Sequence, residues 1–157
     1  MWNGAVVSIH LAPEARAPMQ SVHDAQVVAG HGLEGDRYRR NAGTFSDKIG
    51  PDRHVTLIAL EDVEAFTREH GIPLDPGEAR RNVVTRGVPL NDLVGIEFTV
   101  GAVRVRGMRL CEPFAHLATL TGRAVLPGLV HRGGLRCEAL TSGMIRVGDP
   151  ISPIGAR

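Results

Sequence analysis

Aromatic side chains are scarce in this chain. Only 4% of its 157 residues are Phe, Trp or Tyr, although 43% are hydrophobic. Val, Leu, Ile and Ala must therefore build the interior of what we expect to be a single domain over residues 1–157. No apolar run approaches the roughly 20 residues that cross a membrane, so we expect no membrane partner.

Cysteine is also rare, since Cys111 and Cys137 are the only two. Two cysteines do not make a disulfide framework, and no signal peptide opens the chain. These absences predict a reduced protein of the cytoplasm.

Lysine is nearly absent as well. Lys48 is the single lysine among 18 basic residues, and the net charge is only +1. So small a net charge does not favour nucleic acid as a partner. The arginine bias has two explanations: genomic base composition, or a need to bind phosphate or carboxylate through two parallel hydrogen bonds.

Short apolar runs bounded by Gly, Pro, Asn or Asp dominate the chain and predict many short strands. One helix is predicted over Leu60 to His70, where apolar residues recur at helical spacing and Gly71 follows. A shorter one is predicted over Phe114 to Leu120, and residues 39–53 are expected to form a long exposed loop. Many strands with few helices favour a mainly β fold closed into a barrel. The candidate strands are 5–11, 22–28, 54–59, 97–100, 102–106, 135–140 and 144–147.

A glycine-rich segment follows the second of these strands. Residues 30–38 contain three glycines within six residues, and Arg37 follows them. The order of residues matches neither the dinucleotide-binding fingerprint nor the phosphate-binding loop. A simple turn and an anion site both remain open.

Arginines are concentrated in residues 77–87, together with Asn82 and Thr85. In a strand, Arg80 and Asn82 would share one face while Arg81 points to the other. A guanidinium group and an amide side by side suit a phosphate or the polar edge of a heterocycle. A solvated charged face is the alternative.

The segment Arg109-Leu110-Cys111-Glu112-Pro113-Phe114 places a thiol near an arginine. A thiolate is both a nucleophile and a soft metal ligand. An isolated cysteine can equally be a small buried apolar residue. The histidines follow no zinc-binding spacing.

Taken in order, these segments resemble the MOSC domain family, named after the C-terminal domain of molybdenum cofactor sulfurases. The resemblance extends over about residues 5–151 and is closest to the small stand-alone bacterial members. The motifs that carry it are Gly32-Leu33-Glu34-Gly35-Asp36-Arg37, the block from Gly77 to Gly95, Leu110-Cys111-Glu112-Pro113, His131-Arg132-Gly133-Gly134 and Ile145-Arg146-Val147-Gly148-Asp149-Pro150.

The resemblance implies a β-barrel-like fold with a few short peripheral helices and a pocket for the molybdenum cofactor, molybdopterin. The Arg-x-Asn pattern of the family corresponds to Arg80 and Asn82, and Cys111 becomes the candidate catalytic residue and metal ligand. Further candidates for cofactor binding are Arg37, Arg53, Thr85 and Arg132. Pyridoxal phosphate belongs to a separate domain of the sulfurases, which this sequence does not show.

One departure from the family separates two hypotheses. Small members read Cys-Glu-Pro-Cys where this chain reads Cys111-Glu112-Pro113-Phe114, and the second cysteine is the family's molybdenum ligand. The chain is then either an oxidoreductase that reduces N-hydroxylated small molecules with a separate electron-donor reductase, or a non-catalytic module. Such a module would bind or carry the cofactor or another phosphorylated heterocycle. A structural or partner-binding barrel without a pocket is a third possibility.

Overall fold

The computed structural model describes residues 2–12, 19–34, 54–71, 81–111 and 133–155. These residues contain one α-helix, α1 (Leu60–His70), and one 3₁₀ helix, Leu90–Leu93. The strands are β1 (Gly4–Leu11), β2 (Gln20–Val22), β3 (Asp24–Val28), β4 (Gly32–Leu33), β5 (Val55–Ala59), β6 (Val83–Arg86), β7 (Glu97–Val100), β8 (Val103–Leu110), β9 (Leu135–Ala139), β10 (Gly143–Arg146) and β11 (Pro150–Pro153).

Seven strands close into a barrel in the order β11-β7-β8-β9-β5-β6-β1, because β1 pairs back onto β11 at Gly4↔Ile151 and Ala5↔Pro150. The β5–β6 pair is parallel, whereas the other barrel pairs are antiparallel. β2 extends the sheet beyond β1, and β10, β3 and β4 form a small second sheet. The prediction of a mainly β, barrel-like fold is confirmed.

Aliphatic side chains fill the interior of the barrel. On β8 the buried Val103 and Val105 alternate with the outward-facing Arg104 and Arg106, as expected for a strand with one face on the core. On β9 the interior residues are Leu135, Cys137 and Ala139. Phe98 is fully buried among them, so the shortage of aromatic residues does not leave the core without one.

The helix α1 spans Leu60–His70, the range predicted from the sequence, and buries Val63 and Phe66. It ends at Gly71, which has a left-handed backbone (φ 66°) and donates its N–H to the Thr67 carbonyl. No helix in the described ranges is long and apolar enough to cross a membrane. The predicted helix over 114–120 and the predicted loop over 39–53 lie outside the described residues.

Two strand predictions were wrong in detail. The run 22–28 is divided at His23 between β2, which pairs with β1, and β3, which pairs with β10. A local pattern of side chains does not reveal which partner a strand has.

The strand predicted over 102–106 continues to Leu110, because Gly107 is not a turn. A Cβ atom there would overlap the Leu93 carbonyl, so glycine lets β8 pass close to the 3₁₀ helix.

Candidate functional site

Three chain segments meet at the end of β8, beside the Cys111 thiol. The Cys111 N–H donates to the Gly134 carbonyl at 2.8 Å, and Arg81 Nε–H donates to the Gly133 carbonyl at 2.8 Å. Cys111 follows β8, Gly133 and Gly134 precede β9, and Arg81 lies two residues before β6. The same two glycines therefore hold both the thiol and the guanidinium group in place.

Gly134 cannot be replaced by another residue without strain. Its φ is +102°, and a Cβ atom built on it would overlap the carbonyl of Leu57 on β5. Residues other than glycine rarely adopt such a backbone conformation. Because Gly134 has no side chain, the segment before β9 can lie directly against β5.

A polar row crosses the outer face of the barrel next to this point. Arg136 on β9 lies opposite Thr56 on β5 and opposite Arg109 on β8. Directly opposed residues project from the same face of a sheet, and the neighbours of Arg136 on β9 face the core. Asn82 hydrogen bonds to Thr56 and continues the row toward β6. Polar side chains from four adjoining chain segments therefore lie on the outer side of the barrel sheet, where Thr56 and Asn82 are themselves buried.

Burial and positive charge have opposite effects on Cys111. Burial raises the pKa of this thiol, which is 3% exposed, while the positive charges of Arg81, Arg136 and Arg109 partly oppose the rise. A hydrogen bond from Arg81 adds to this opposition. The site consequently combines a buried, protonated thiol with three guanidinium groups.

Arg81, Arg109 and Arg136 are not among the binding residues predicted from the sequence, where Arg109 is noted only as an arginine near the thiol. The alternation of side chains in a strand predicted that Arg81 points away from Asn82. That alternation cannot be applied to these two residues, because β6 begins only at Val83. Arg136 lies in the predicted strand 135–140, for which the sequence predicted no functional residue. The sequence also does not reveal which residues of the neighbouring strands lie opposite Arg136. The adjacent Arg109 and Cys111 were the available signal for a basic thiol site.

Arg136 also leaves a donor unsatisfied. Within the described part of the chain, its Nε atom is buried and has no hydrogen-bond partner. Leaving a buried donor unpaired costs about 1–3 kcal/mol. Arg109 directly opposite adds a like charge, which is also unfavourable in a cross-strand pair. Both features indicate a site suited to an anion.

Asn82 and Thr85 lie deep in the fold. Asn82 is 2% exposed; its Oδ1 accepts from the Thr56 N–H and hydroxyl, and its Nδ2 donates to the His10 carbonyl. Thr85 is fully buried, and its hydroxyl donates to the Ile58 carbonyl at 3.4 Å. Both side chains connect strands, and their assignment to cofactor binding stays a prediction. The other sequence candidates, Arg37, Arg53, Arg80 and Arg132, lie outside the described residues, as does Phe114.

The second thiol, Cys137, points into the barrel interior and is completely buried, so burial raises its pKa well above the usual range. Both cysteines are free thiols. Among the described residues, no group of three or more His, Cys, Asp or Glu side chains is arranged to hold a metal ion.

The closed barrel and the arginines near Cys111 define a small β-barrel domain with a buried thiol in basic surroundings. The family model described as "MOSC domain" matches residues 44–152, more than half of the sequence. This chain belongs to the MOSC domain family, as the sequence motifs predicted.

Solved structures agree with this assignment at the level of the fold. The YuaD protein from Bacillus subtilis superposes with a TM-score of 0.73 at 16% identity, covering 96% of this chain and 97% of its own. YiiM from Geobacillus stearothermophilus has a TM-score of 0.72 at 18% identity, covering 95% and 74%. YiiM from Escherichia coli has a TM-score of 0.69 at 16% identity, covering 100% and 71%. No curated protein sequence matches the chain significantly.

Proposed function

We propose that this chain binds the molybdenum cofactor on the outer face of the barrel, beside Cys111. The observation that carries the proposal is the buried Cys111 thiol among the guanidinium groups of Arg81, Arg109 and Arg136. Membership of the MOSC domain family supports the choice of this cofactor over other anionic ligands.

The residues present fit the chemistry of such a group. Molybdopterin has a phosphate, which guanidinium groups bind well, and a soft metal centre, which a thiolate can ligate. Arg81, Arg109 and Arg136 would hold the anionic part, and Cys111 is the candidate metal ligand. When bound, the cofactor supplies redox chemistry at its metal.

The protein contributes binding, orientation and control of a proton. Because burial raises its pKa, the Cys111 thiol holds its proton at neutral pH and must release it before it can ligate a metal. The nearby guanidinium groups stabilise the thiolate that then forms. If N-hydroxylated compounds are reduced at this site, we propose that a separate electron-donor reductase supplies the electrons.

A cofactor-binding module without turnover is the second candidate. Phe114 favours it, because this residue stands where small members of the family carry their metal-ligand cysteine. A phenyl ring cannot ligate a metal, whereas the phosphate-binding charges do not depend on that position. Binding and catalysis could therefore be separated in this chain.

The test measures molybdenum and pterin per protein after anaerobic purification from a host that makes the cofactor. We expect pterin and molybdenum in the wild type, and a lower content of both in Cys111→Ser, because the thiolate would help to hold the metal of the cofactor. Cys137→Ser is the matched control, because its thiol faces the barrel interior and should leave the loading unchanged. Absence of pterin and metal from the wild type and from Phe114→Cys alike would refute the proposal.

Turnover separates the two candidates. Each loaded protein is given a chemically reduced dye and an N-hydroxylated amidine, and oxidation of the dye is followed. Turnover by the wild type supports the oxidoreductase. Turnover only by Phe114→Cys supports the binding module and identifies the ligand that the native chain lacks.

A further inference from the structure

We propose that Arg136 and Arg109 form an oxyanion-binding pair that takes a dianionic phosphate group. Nothing in the sequence motifs singles out Arg136. The inference rests on the proposed function only for the source of the phosphate, which is either the phosphomonoester of the cofactor or free inorganic phosphate.

A β-bulge brings the two arginines together. Arg106 lies opposite Glu138 and Gly107 opposite Cys137, but the register then shifts, so that Arg109 rather than Met108 faces Arg136. Without the extra residue, Met108 would occupy the outer position and Arg109 would face the interior. Bulges commonly redirect a side chain next to a functional site. Here the bulge adds a second guanidinium group to the outer face.

The arginines on the outer face of β8 and β9 differ in whether a carboxylate lies beside them. Arg106 pairs with Glu138 at 3.4 Å and with Glu97 at 3.0 Å, and Arg104 lies 3.9 Å from Glu97. Arg136, one pair further along, has no carboxylate partner among the described residues, and its buried Nε has no acceptor. A buried donor without a partner requires an explanation, and an acceptor from outside the chain provides one.

The geometry favours a tetrahedral dianion. Directly opposed residues have Cβ atoms about 4.5–5.5 Å apart, so two guanidinium groups can reach oxygens on either side of one phosphorus atom. Arg81 beside Cys111 adds positive charge to the same region. A monoanionic carboxylate would balance less of this charge and could not offer oxygens in three directions.

The first experiment uses protein made in a host that lacks the cofactor. Inorganic phosphate is titrated at constant ionic strength against chloride, and binding is followed by the thermal unfolding midpoint and by ³¹P NMR line broadening. We expect the wild type to bind phosphate and Arg136→Gln to bind it about tenfold more weakly or worse, since hydrogen bonds to charged groups are the strong ones. Arg136→Lys keeps the charge but loses Nε, and should fall between the two.

Arg104→Gln is the matched control. It removes one positive charge from the outer face of the same sheet, and Glu97 keeps its contact with Arg106. Phosphate binding should stay as in the wild type. Equal binding by wild type, Arg136→Gln and Arg104→Gln overturns the inference, as does an equal loss in both variants, which would reflect net charge alone. If Arg136→Gln fails to fold, the comparison of Arg136→Lys with Arg104→Gln decides in the same way.

The second experiment identifies the source of the phosphate. The same variants are purified from a host that makes the cofactor, and pterin is measured after release. Loss of pterin from Arg136→Gln but not from Arg104→Gln assigns the pair to the phosphomonoester. If the wild type carries no pterin but binds phosphate through Arg136, the oxyanion-binding pair is supported and the proposed function is refuted. Full pterin in Arg136→Gln with unchanged phosphate binding would leave the function standing and overturn the pair.

Discussion

Thr56 and Asn82 hold each other through reciprocal hydrogen bonds. The Thr56 hydroxyl donates to Asn82 Oδ1 at 3.1 Å and accepts the Asn82 N–H at 2.9 Å, while the Thr56 N–H reaches the same Oδ1 at 3.1 Å. Asn82 Nδ2 then donates to the His10 carbonyl on β1. One side chain thus joins β1, β5 and the start of β6, directly beside the arginine that contacts the thiol.

We expect Asn82→Ala to lower the free energy of unfolding by about 2–4 kcal/mol, because buried groups of Thr56 and His10 lose their partner. Urea denaturation of the cofactor-free protein measures it. Thr99→Ala is the control, since it removes only the half-buried contacts of the Thr99 hydroxyl with the carbonyl and the hydroxyl of Ser152 and should cost about 0.5–1 kcal/mol. Similar losses in the two variants would mean that Asn82 does not connect the strands as described.

Gly134→Ala should disturb the site more than an equivalent change elsewhere. A positive φ alone costs an alanine about 1–2 kcal/mol, and overlap with the Leu57 carbonyl adds about 1–3 kcal/mol. Gly148→Ala is matched, because its φ is +94° and nothing lies within 4 Å of the added Cβ. The difference between the two unfolding free energies isolates the overlap. No difference would show that β5 can move away from the site without loss.

The titration of Cys111 tests the electrostatics of the site directly. In cofactor-free protein labelled with ¹³C-cysteine, NMR should show this thiol ionising above the ordinary thiol range, because burial dominates the nearby positive charge. Arg81→Met should raise the pKa further, since Arg81 contributes the largest opposing charge and a hydrogen bond. Arg104→Met should leave it unchanged. A Cys111 pKa below the ordinary value, or a fall in Arg81→Met, would contradict this account.

Cys137 should make the free energy of unfolding fall at alkaline pH. In the unfolded chain its thiol ionises at about pH 8.5, whereas in the folded protein burial raises its pKa well above that value. The unfolded state therefore binds fewer protons in this window, so stability is complete below the unfolded pKa and falls as the pH rises above it. The slope reaches about 1.4 kcal/mol per pH unit for one thiol.

The measurement compares urea unfolding of wild type and Cys137→Ala under reducing conditions from about pH 7 to pH 10. At neutral pH, Cys137→Ala should be less stable than the wild type because the substitution leaves a cavity. As the pH rises, its free energy of unfolding should fall less steeply than that of the wild type. Parallel curves for the two proteins would show that Cys137 can ionise inside the barrel. Groups that titrate in both proteins cancel in the comparison.

Local features of the fold were predictable because their signal lies in neighbouring residues. The helix α1 was predicted with its observed bounds, since its apolar spacing and Gly71 are both local. Most strands were found for the same reason. The division of 22–28 at His23 and the continuation of β8 through Gly107 were not, because each depends on contact with a distant segment.

The sequence by itself determined the family, the mainly β fold and a thiol in arginine-rich surroundings, since ordered motifs and alternation carry that information. Only the tertiary structure decided which arginines face the thiol. Arg81 reaches Gly133 across 52 positions of the chain, and Arg109 meets Arg136 through a bulge. Register and bulges are set by pairing between strands far apart in the sequence, and moving a strand by one residue sends a side chain to the opposite face of the barrel.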